Sequence, residues 1–327
     1  MGNIIRWGIA GPGKIAHKFA QDLKKVSGGK LTAVGSRSLD RAKSFALEYG
    51  AAHAYDSYEA LFKSDEIDVV YIATLHISHV ELSLLAIKNR KHVLCEKPAS
   101  INKTELLEVV NAAKEQGVFY MEALWSRFNP AIKKVKELVD AKEIGTVNYL
   151  KADFAFYGLD RAEDGRLLNA NLAGGSLLDI GIYPIFLSYL ILGKPNEILA
   201  RSKFHTTGVE IQTAMIFDYE NAQAILYSGN STNAECKAEI AGSKGSLFLP
   251  GRWHEAQGYQ LEHNDNVIET ALPTIGNGYT YEIEEVHQCL NSGKIESELW
   301  SHQNSIDLME LLDIVRAKAG ITFPFEQ

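Results

Sequence analysis

Along residues 4–122, short β-branched apolar runs alternate with longer stretches whose apolar residues recur at helical spacing. Parallel strands joined by crossover helices leave this pattern. Residues 4–10, 31–36, 69–74, 92–95 and 118–122 are read as strands, with helices beginning near Gly13, Leu39, Ser78 and Asn102. Strand and helix take turns throughout, which predicts a doubly wound parallel sheet. Asn129-Pro130 then offers a cap residue followed by proline at a first helical position, so one more helix is expected to about residue 141.

Beyond Gly145 the pattern changes. Apolar and polar positions alternate over residues 147–156, 198–205, 210–218, 222–229 and 246–250, bounded by turn residues, with helical stretches at 176–192, 279–290 and 301–319. This favours an antiparallel sheet in an α+β arrangement. The expectation is an α/β domain over residues 1–123 followed by an α+β domain over 124–327 with a predominantly antiparallel, open-faced sheet. A sheet with helices on one face leaves the other needing cover, and a second copy of the chain would supply it. A homodimer through that face is expected.

Length and charge narrow the function. At 327 residues the chain exceeds what one hydrophobic core usually organises. Its net charge of -8 comes with no basic stripe and no block of like charges. This argues against nucleic acid or an anionic membrane as partner and leaves a small-molecule substrate. The three cysteines, Cys95, Cys236 and Cys289, are far apart and lack metal-like spacing, so neither a disulfide framework nor a metal site is expected. The opening residues lack the apolar core and cleavage site of a signal peptide, Arg6 breaks the myristoylation pattern that Met1-Gly2 begins, and the apolar stretch at 185–192 is short for a bilayer. A cytoplasmic protein is expected.

Gly11-Pro12-Gly13-Lys14-Ile15-Ala16 falls between the first strand and the first helix and fits G-x-G-x-x-A. Gly11 permits the tight turn, Gly13 lets backbone approach a pyrophosphate, and Ala16 allows close packing beneath. With Lys14 and Ile15 opening the helix, its N-terminus faces an anion. Where an acidic residue would bind an adenosine ribose, at the end of the second strand, stand Ser36-Arg37 and then Arg41. A hydroxyl and guanidinium groups suit a 2'-phosphate, so NADP(H) is favoured over NAD(H).

Two further motifs carry candidate chemistry. Glu96-Lys97-Pro98 follows the strand at 92–95, on the carboxyl edge where open α/β sheets bind ligands. Thr74, His76 and His79, at and after the end of the strand at 69–74, are assigned with Glu96 and Lys97 to the cofactor. In Gly174-Gly175-Ser176-Leu177-Leu178-Asp179-Ile180-Gly181-Ile182-Tyr183-Pro184, Asp179 and Tyr183 are one helical turn apart and share a face. Pro184 predicts a bend there. Spacing alone does not separate Tyr183 from a core tyrosine. Trp125, Arg127, Phe154 and Tyr157 are candidates for the wall of a substrate pocket, with Arg127 as anchor.

G-x-G-x-x-A, the E-K-P tripeptide and G-G-x-x-x-D-x-G together resemble the glucose-fructose oxidoreductase/inositol dehydrogenase (Gfo/Idh/MocA) family. Leu94-Cys95-Glu96-Lys97-Pro98, residues 121–128, 178–183 and Gly320-Ile321-Thr322-Phe323-Pro324 resemble its dimeric dihydrodiol dehydrogenase and NADP-dependent xylose dehydrogenase branch. The resemblance implies a Rossmann domain followed by an open-faced antiparallel sheet, Lys97 at the nicotinamide, and a cis bond before Pro98. Most members have histidine where this chain has Tyr183, a departure that points away from inositol dehydrogenases. Lys97, Asp179 and Tyr183 are the expected catalytic set for hydride transfer between NADP(H) and a hydroxyl or carbonyl carbon of a cyclic polyol, an aldose such as xylose, or a trans-dihydrodiol. A phenol ionises near about 10, and an ammonium beside it would bring proton transfer within reach of neutral pH. Whether Tyr183 or Lys97 moves the proton stays open. A cofactor-retaining sugar transhydrogenase and a non-catalytic dinucleotide sensor are the alternatives.

Overall fold

The computed structural model describes residues 4–264 and 266–326. The chain opens with β1 (Ile5–Ala10), α1 (Lys14–Leu23), β2 (Gly29–Gly35), α2 (Leu39–Tyr49), β3 (His53–Tyr55), α3 (Tyr58–Lys63), β4 (Val69–Ile72), α4 (His79–Lys88), β5 (His92–Glu96), α5 (Lys103–Gln116) and β6 (Tyr120–Ala123). The strands form one six-stranded sheet in the order β3-β2-β1-β4-β5-β6, every pair parallel. Strands buried on both faces read as continuous apolar runs, and β4 is buried at each of its residues. The strand order reverses between β1 and β4. The ends of those two strands, Gly11 and Thr74, therefore flank the crevice in which such sheets bind ligands.

There follow α6 (Pro130–Asp140), β7 (Val147–Ala155), α7 (Ile182–Leu192), β8 (Glu197–Phe204), β9 (Glu210–Asp218), β10 (Gln223–Gly229), β11 (Ala238–Gly242), β12 (Gly245–Leu249), β13 (Gly258–His263), β14 (Asn266–Ala271), α8 (Thr280–Asn291) and α9 (His302–Ala319). Asn129 caps α6, its Oδ1 accepting the N–H groups of Ala131 and Ile132, with Pro130 in the first turn. An eight-stranded sheet runs β14-β13-β12-β11-β7-β10-β9-β8, antiparallel except for the parallel pair β7 and β10. Buried and open positions alternate along β8 and β10, as one covered face requires. The helix α7 packs against β7 and β10. The helical run Ala170–Leu192 is longer than the 185–192 stretch that stood out in sequence. It reaches the length and apolarity of a membrane span, but 78% of its apolar window is buried within the protein, as in a core helix.

The chain divides into two compact units, Met1–Phe128 with Ile275–Ile306, and Asn129–Thr274 with Asp307–Gln327. The strand pattern alone assigns residues 124–327 to the second domain. Side-chain partners explain the exchange of 275–306. Asp22 of α1 accepts the N–H groups of Asn277 and Tyr279, Trp7 Nε1 lies 3.0 Å from His287 Nε2, and Trp300 Nε1 donates to Glu122 at 3.3 Å. Partners so distant in sequence leave no local signature.

Candidate active site

The glycine turn is built as a cradle. Gly11 has φ +93°, and a Cβ there would lie 2.9 Å from both the Ala73 carbonyl oxygen and Thr74 Cγ2. The turn is closed by Gly11 N–H donating to Gly35 O at 3.1 Å and Gly13 N–H donating to Gly11 O at 2.8 Å. Gly13 caps α1 in extended conformation, and a Cβ on it would meet nothing within 4 Å. Gly13 has no side chain with which to cap the start of α1, and no acidic residue stands in its first turn. Ala16 is fully buried, while Lys14 is exposed and Ile15 half-buried. Open space, outward N–H groups and the positive end of a helix dipole fit a pyrophosphate.

Beside this turn, β2 is followed by Ser36 and Arg37, and α2 adds Arg41. Ser36 is buried and its Oγ accepts the Ser38 N–H at 3.2 Å, which shapes the start of α2. Arg41, in the first turn of α2, donates from Nη2 to the Pro12 carbonyl at 3.2 Å. Arg37 is exposed. Of the three, Arg41 reaches the glycine loop itself.

On the neighbouring strands, Thr74 Oγ1 is buried without a hydrogen-bond partner among the described residues. His76 lies in the short turn His76–Ser78, its ring 5.8 Å from that of His79. His79 is fully buried, with Nδ1 2.7 Å from the Pro98 carbonyl and Nε2 3.3 Å from that of Thr74. Burial holds its pKa below the usual histidine value. It therefore ties the end of β4 to the loop after β5 and has no surface to offer a ligand. Lys97 is half-buried, and the Lys97–Pro98 peptide is cis. Glu96 is buried and accepts the Tyr71 hydroxyl. From the adjacent strand β6, Glu122 Oε1 accepts the Ala99 N–H at 3.0 Å, fixing the loop that carries Lys97.

In the second unit, Asp179 and Tyr183 are joined by a π-helical turn, Leu177–Gly181, that leads into α7. Gly181 N–H reaches back to Ser176 O at 2.8 Å, a bond spanning five residues. The widened turn lies just ahead of Pro184, which has no N–H to donate, so the expected irregularity is a π-turn. Both side chains are buried. Arg166 Nη1 donates to Asp179 Oδ2 at 2.9 Å. Tyr183 belongs to an aromatic group in which its ring centroid is 5.5 Å from Phe154 and 5.3 Å from His254, with Phe154 and His254 stacked at 4.1 Å.

The other wall candidates separate. Trp125 is buried and stacks on Tyr279 at 5.1 Å. Arg127 Nε donates to the Leu299 carbonyl at 2.9 Å, which commits part of its guanidinium to the protein's own backbone. Tyr157 is 51% exposed, and its backbone N–H donates to Asn233 Oδ1 at 2.9 Å. Arg166 and His254 were not singled out in sequence. They come from a long connection and a short helical turn with no motif of their own, and only folding brings them to Asp179 and Tyr183.

Comparison with known proteins follows the same division. Residues 5–124 match the model described as "Oxidoreductase family, NAD-binding Rossmann fold", and residues 132–248 match the GFO/IDH/MocA C-terminal domain. A trans-1,2-dihydrobenzene-1,2-diol dehydrogenase of Mus musculus is 35% identical over 98% of each chain. A scyllo-inositol 2-dehydrogenase (NADP(+)) of Bacillus subtilis is 32% identical over 99% of this chain and 100% of its own. Among solved structures, a 3-ketoreductase from Actinomadura kijaniata in complex with NADP and TDP-benzene superposes with a TM-score of 0.88 at 27% identity, covering 97% of this chain and 98% of its own. Two domain matches that together span most of the chain, with relatives above 30% identity over nearly its full length, place it: the chain belongs to the Gfo/Idh/MocA family of oxidoreductases.

Proposed function

We propose that this protein is an NADP(H)-dependent dehydrogenase or reductase acting at a CH–OH or carbonyl carbon of a small cyclic polyol, an aldose such as xylose, or a trans-dihydrodiol. The observation that carries the reading is the hydrogen bond from Arg41 to the Pro12 carbonyl, 3.2 Å, which sets a guanidinium at the glycine turn beside a strand that ends in Ser36-Arg37 and not in an acid. Gly11, Gly13 and the start of α1 would hold the pyrophosphate, with Ser36, Arg37 and Arg41 on the 2'-phosphate. Thr74, with its buried and unmatched hydroxyl, His76, Glu96 and Lys97 are assigned to the nicotinamide end. The relatives include an NADP(+) enzyme and a structure holding NADP, which supports the preference.

The bound nicotinamide supplies or accepts the hydride. The chain's own part is proton transfer and orientation. In the oxidative direction Tyr183 takes the substrate hydroxyl proton, Lys97 hydrogen-bonds the same oxygen and stabilises the negative charge on it, and Asp179 orients them. Phe154 offers an apolar face on which a sugar or an unsaturated ring can lie. Trp125, Arg127 and Tyr157 are kept as outer substrate contacts. The Tyr183 departure points away from inositol chemistry, but the scyllo-inositol dehydrogenase among the relatives keeps cyclic polyols in range. A homodimer formed through the open face of the second sheet completes the proposal.

The test is a panel of pentoses, hexoses, inositols and a trans-dihydrodiol, scored by the absorbance of reduced nicotinamide with NADP+ and with NAD+ in parallel. Turnover with one class, faster with NADP+, is expected. Tight NADP(H) binding with no turnover across the panel would replace this reading with the transhydrogenase or the sensor.

A further inference from the structure

The helical run that carries Asp179 and Tyr183 starts on one side chain. Glu210, the first residue of β9, is 2% exposed. One of its carboxylate oxygens accepts the Leu177 N–H and the other accepts the Ser176 hydroxyl at 2.9 Å. Ser176 Oγ also lies 3.0 Å from Ser228 Oγ of β10, and the Ser176 N–H donates to the Glu210 carbonyl at 3.3 Å. Two glycines of the motif make room for this set. A Cβ on Gly175, at φ +121°, would lie 2.7 Å from Glu210 Oε1, and one on Gly181 would lie 2.8 Å from Ser228 Oγ.

We infer that Glu210 is a positioning residue, whose carboxylate fixes the start of the π-turn and thereby the placement of Asp179 and Tyr183. A negative charge at a helix start is favourable, since it meets unpaired N–H groups and the positive end of the dipole. Burial works against it and pushes the Glu210 carboxyl up to about 7, with Asp179 adding to the rise and the Leu177 and Ser176 donors opposing it. Asp179 is paired with Arg166, β8 sets Phe204 beside Glu210 in register, and β10 presents Ser228. A carboxyl raised to about 7 in the closed turn holds a proton there that it releases once the turn opens to water, while the Ser176 hydroxyl can accept as well as donate. The helix start is therefore tightest below neutrality and loosens as pH rises toward about 7.

The catalytic consequence rests on the roles proposed for Asp179 and Tyr183, so the test reads the helix directly as well. Hydrogen exchange of the peptide covering residues 175–183, corrected for the intrinsic rate, is followed in the full chain from about pH 8.5 down to about pH 6. Wild type is expected to gain roughly tenfold in protection, because one unit below its raised pKa the closed turn holds a proton in about nine of ten molecules that the opened turn has lost. Glu210→Gln, which keeps the shape and cannot ionise, should exchange independently of pH. A flat wild-type profile would overturn the inference, as would the same pH dependence in Glu210→Gln. Should that variant not fold, the wild-type profile and Glu210→Asp, which keeps the charge on a shorter arm, decide alone. With a substrate in hand, the limb over which kcat falls as pH rises toward neutrality should be absent from Glu210→Gln while KM for NADP(H) stays unchanged. A shifted KM with the limb intact would count against a positioning role. A fully active Tyr183→Phe with the exchange profile preserved would remove the proposed proton transfer and leave Glu210 as the anchor of this helix.

Discussion

Arg37 and Arg41 stand at the same strand end but are not equivalent. Arg41 is bound to the Pro12 carbonyl, whereas Arg37 is exposed. Arg37→Ala should weaken NADP(H) by about 1.5–3 kcal/mol, as loss of a charged hydrogen bond does, and leave NAD(H) nearly unchanged. Calorimetric titration of both cofactors checks this, and equal losses would mean that Arg37 stacks on the adenine they share. Lys97→Met and Tyr183→Phe should each lower turnover by roughly two to four powers of ten while NADP(H) binding persists. Unchanged turnover in either would remove that residue from the proton step. A third residue acts on stability. Glu282 is fully buried, and neither of its oxygens meets a hydrogen-bond donor among the described residues. Burial, with Glu96 and Asp22 nearby, pushes its pKa well above the ordinary value of 4.5. Between 4.5 and that raised value the native state holds a proton that the unfolded chain has lost. Stability therefore declines as pH rises through this window. Glu282→Gln should match wild type near pH 4 to 5 and gain on it as pH rises, in urea melts across that range; a gap that shrinks with pH would reverse the sign. Contiguous motifs made the glycine turn, Lys97, Asp179 and Tyr183 legible in sequence. Arg166, Glu210 and His254 were not, because each reaches the site from its own loop or strand with no neighbour in the chain to mark it.

At the scale of elements, apolar runs buried on two faces announced β1, β2, β4, β5 and β6, and alternation announced β7 to β10 and β12 to within a few residues of their ends. Two of the strands without a signature in the sequence share a cause, whereas β11 and β13, inside the sheet, are short runs that alternation alone does not mark. The strand β3 is three residues long, none of them buried, and β14 is exposed at nearly every position, so neither carries a burial pattern to read. Edge strands of a sheet need bury little, and both lie at an edge. The π-turn was legible only as a conflict between a helical stretch and Pro184. Its glycines can be tested apart from catalysis. Gly175 has φ +121°, and an added Cβ would press on Glu210. Gly175→Ala should therefore cost about 1–3 kcal/mol, a strained backbone and a crowded carboxylate together. Gly50→Ala isolates the first effect, since Gly50 closes α2 at φ +78° with nothing near its Cβ. It should cost less than Gly175→Ala in the same chemical melts. Equal costs would show that the contact with Glu210 adds nothing to the backbone strain.

The whole molecule leaves one sheet face to be explained. Leu199, Ile216 and Ile225 are 53%, 40% and 46% exposed, far more than their apolar surface favours. They are also in register across β8, β9 and β10, so they form one continuous row, which Lys151, Glu239 and Phe248 extend through β7, β11 and β12. Further along the same sheet, a cavity of about 890 Å³ opens between residues of β7 and β11 to β14. Scattered apolar residues on a surface need no account, but a contiguous row on an open sheet marks an interface. An isologous pairing through this face would bury the row against its own copy and relieve both subunits at once. Ile216 and Ile225 are adjacent in the row and distant in sequence from Lys97, Asp179 and Tyr183, so they give a clean disruption. Light scattering on the wild type should report a dimer, and Ile216→Glu with Ile225→Glu should shift it to the monomer by setting four like charges against one another. A monomeric wild type would remove the proposed dimer, whereas a double variant that stays dimeric would move the interface to another face and leave this row without a partner.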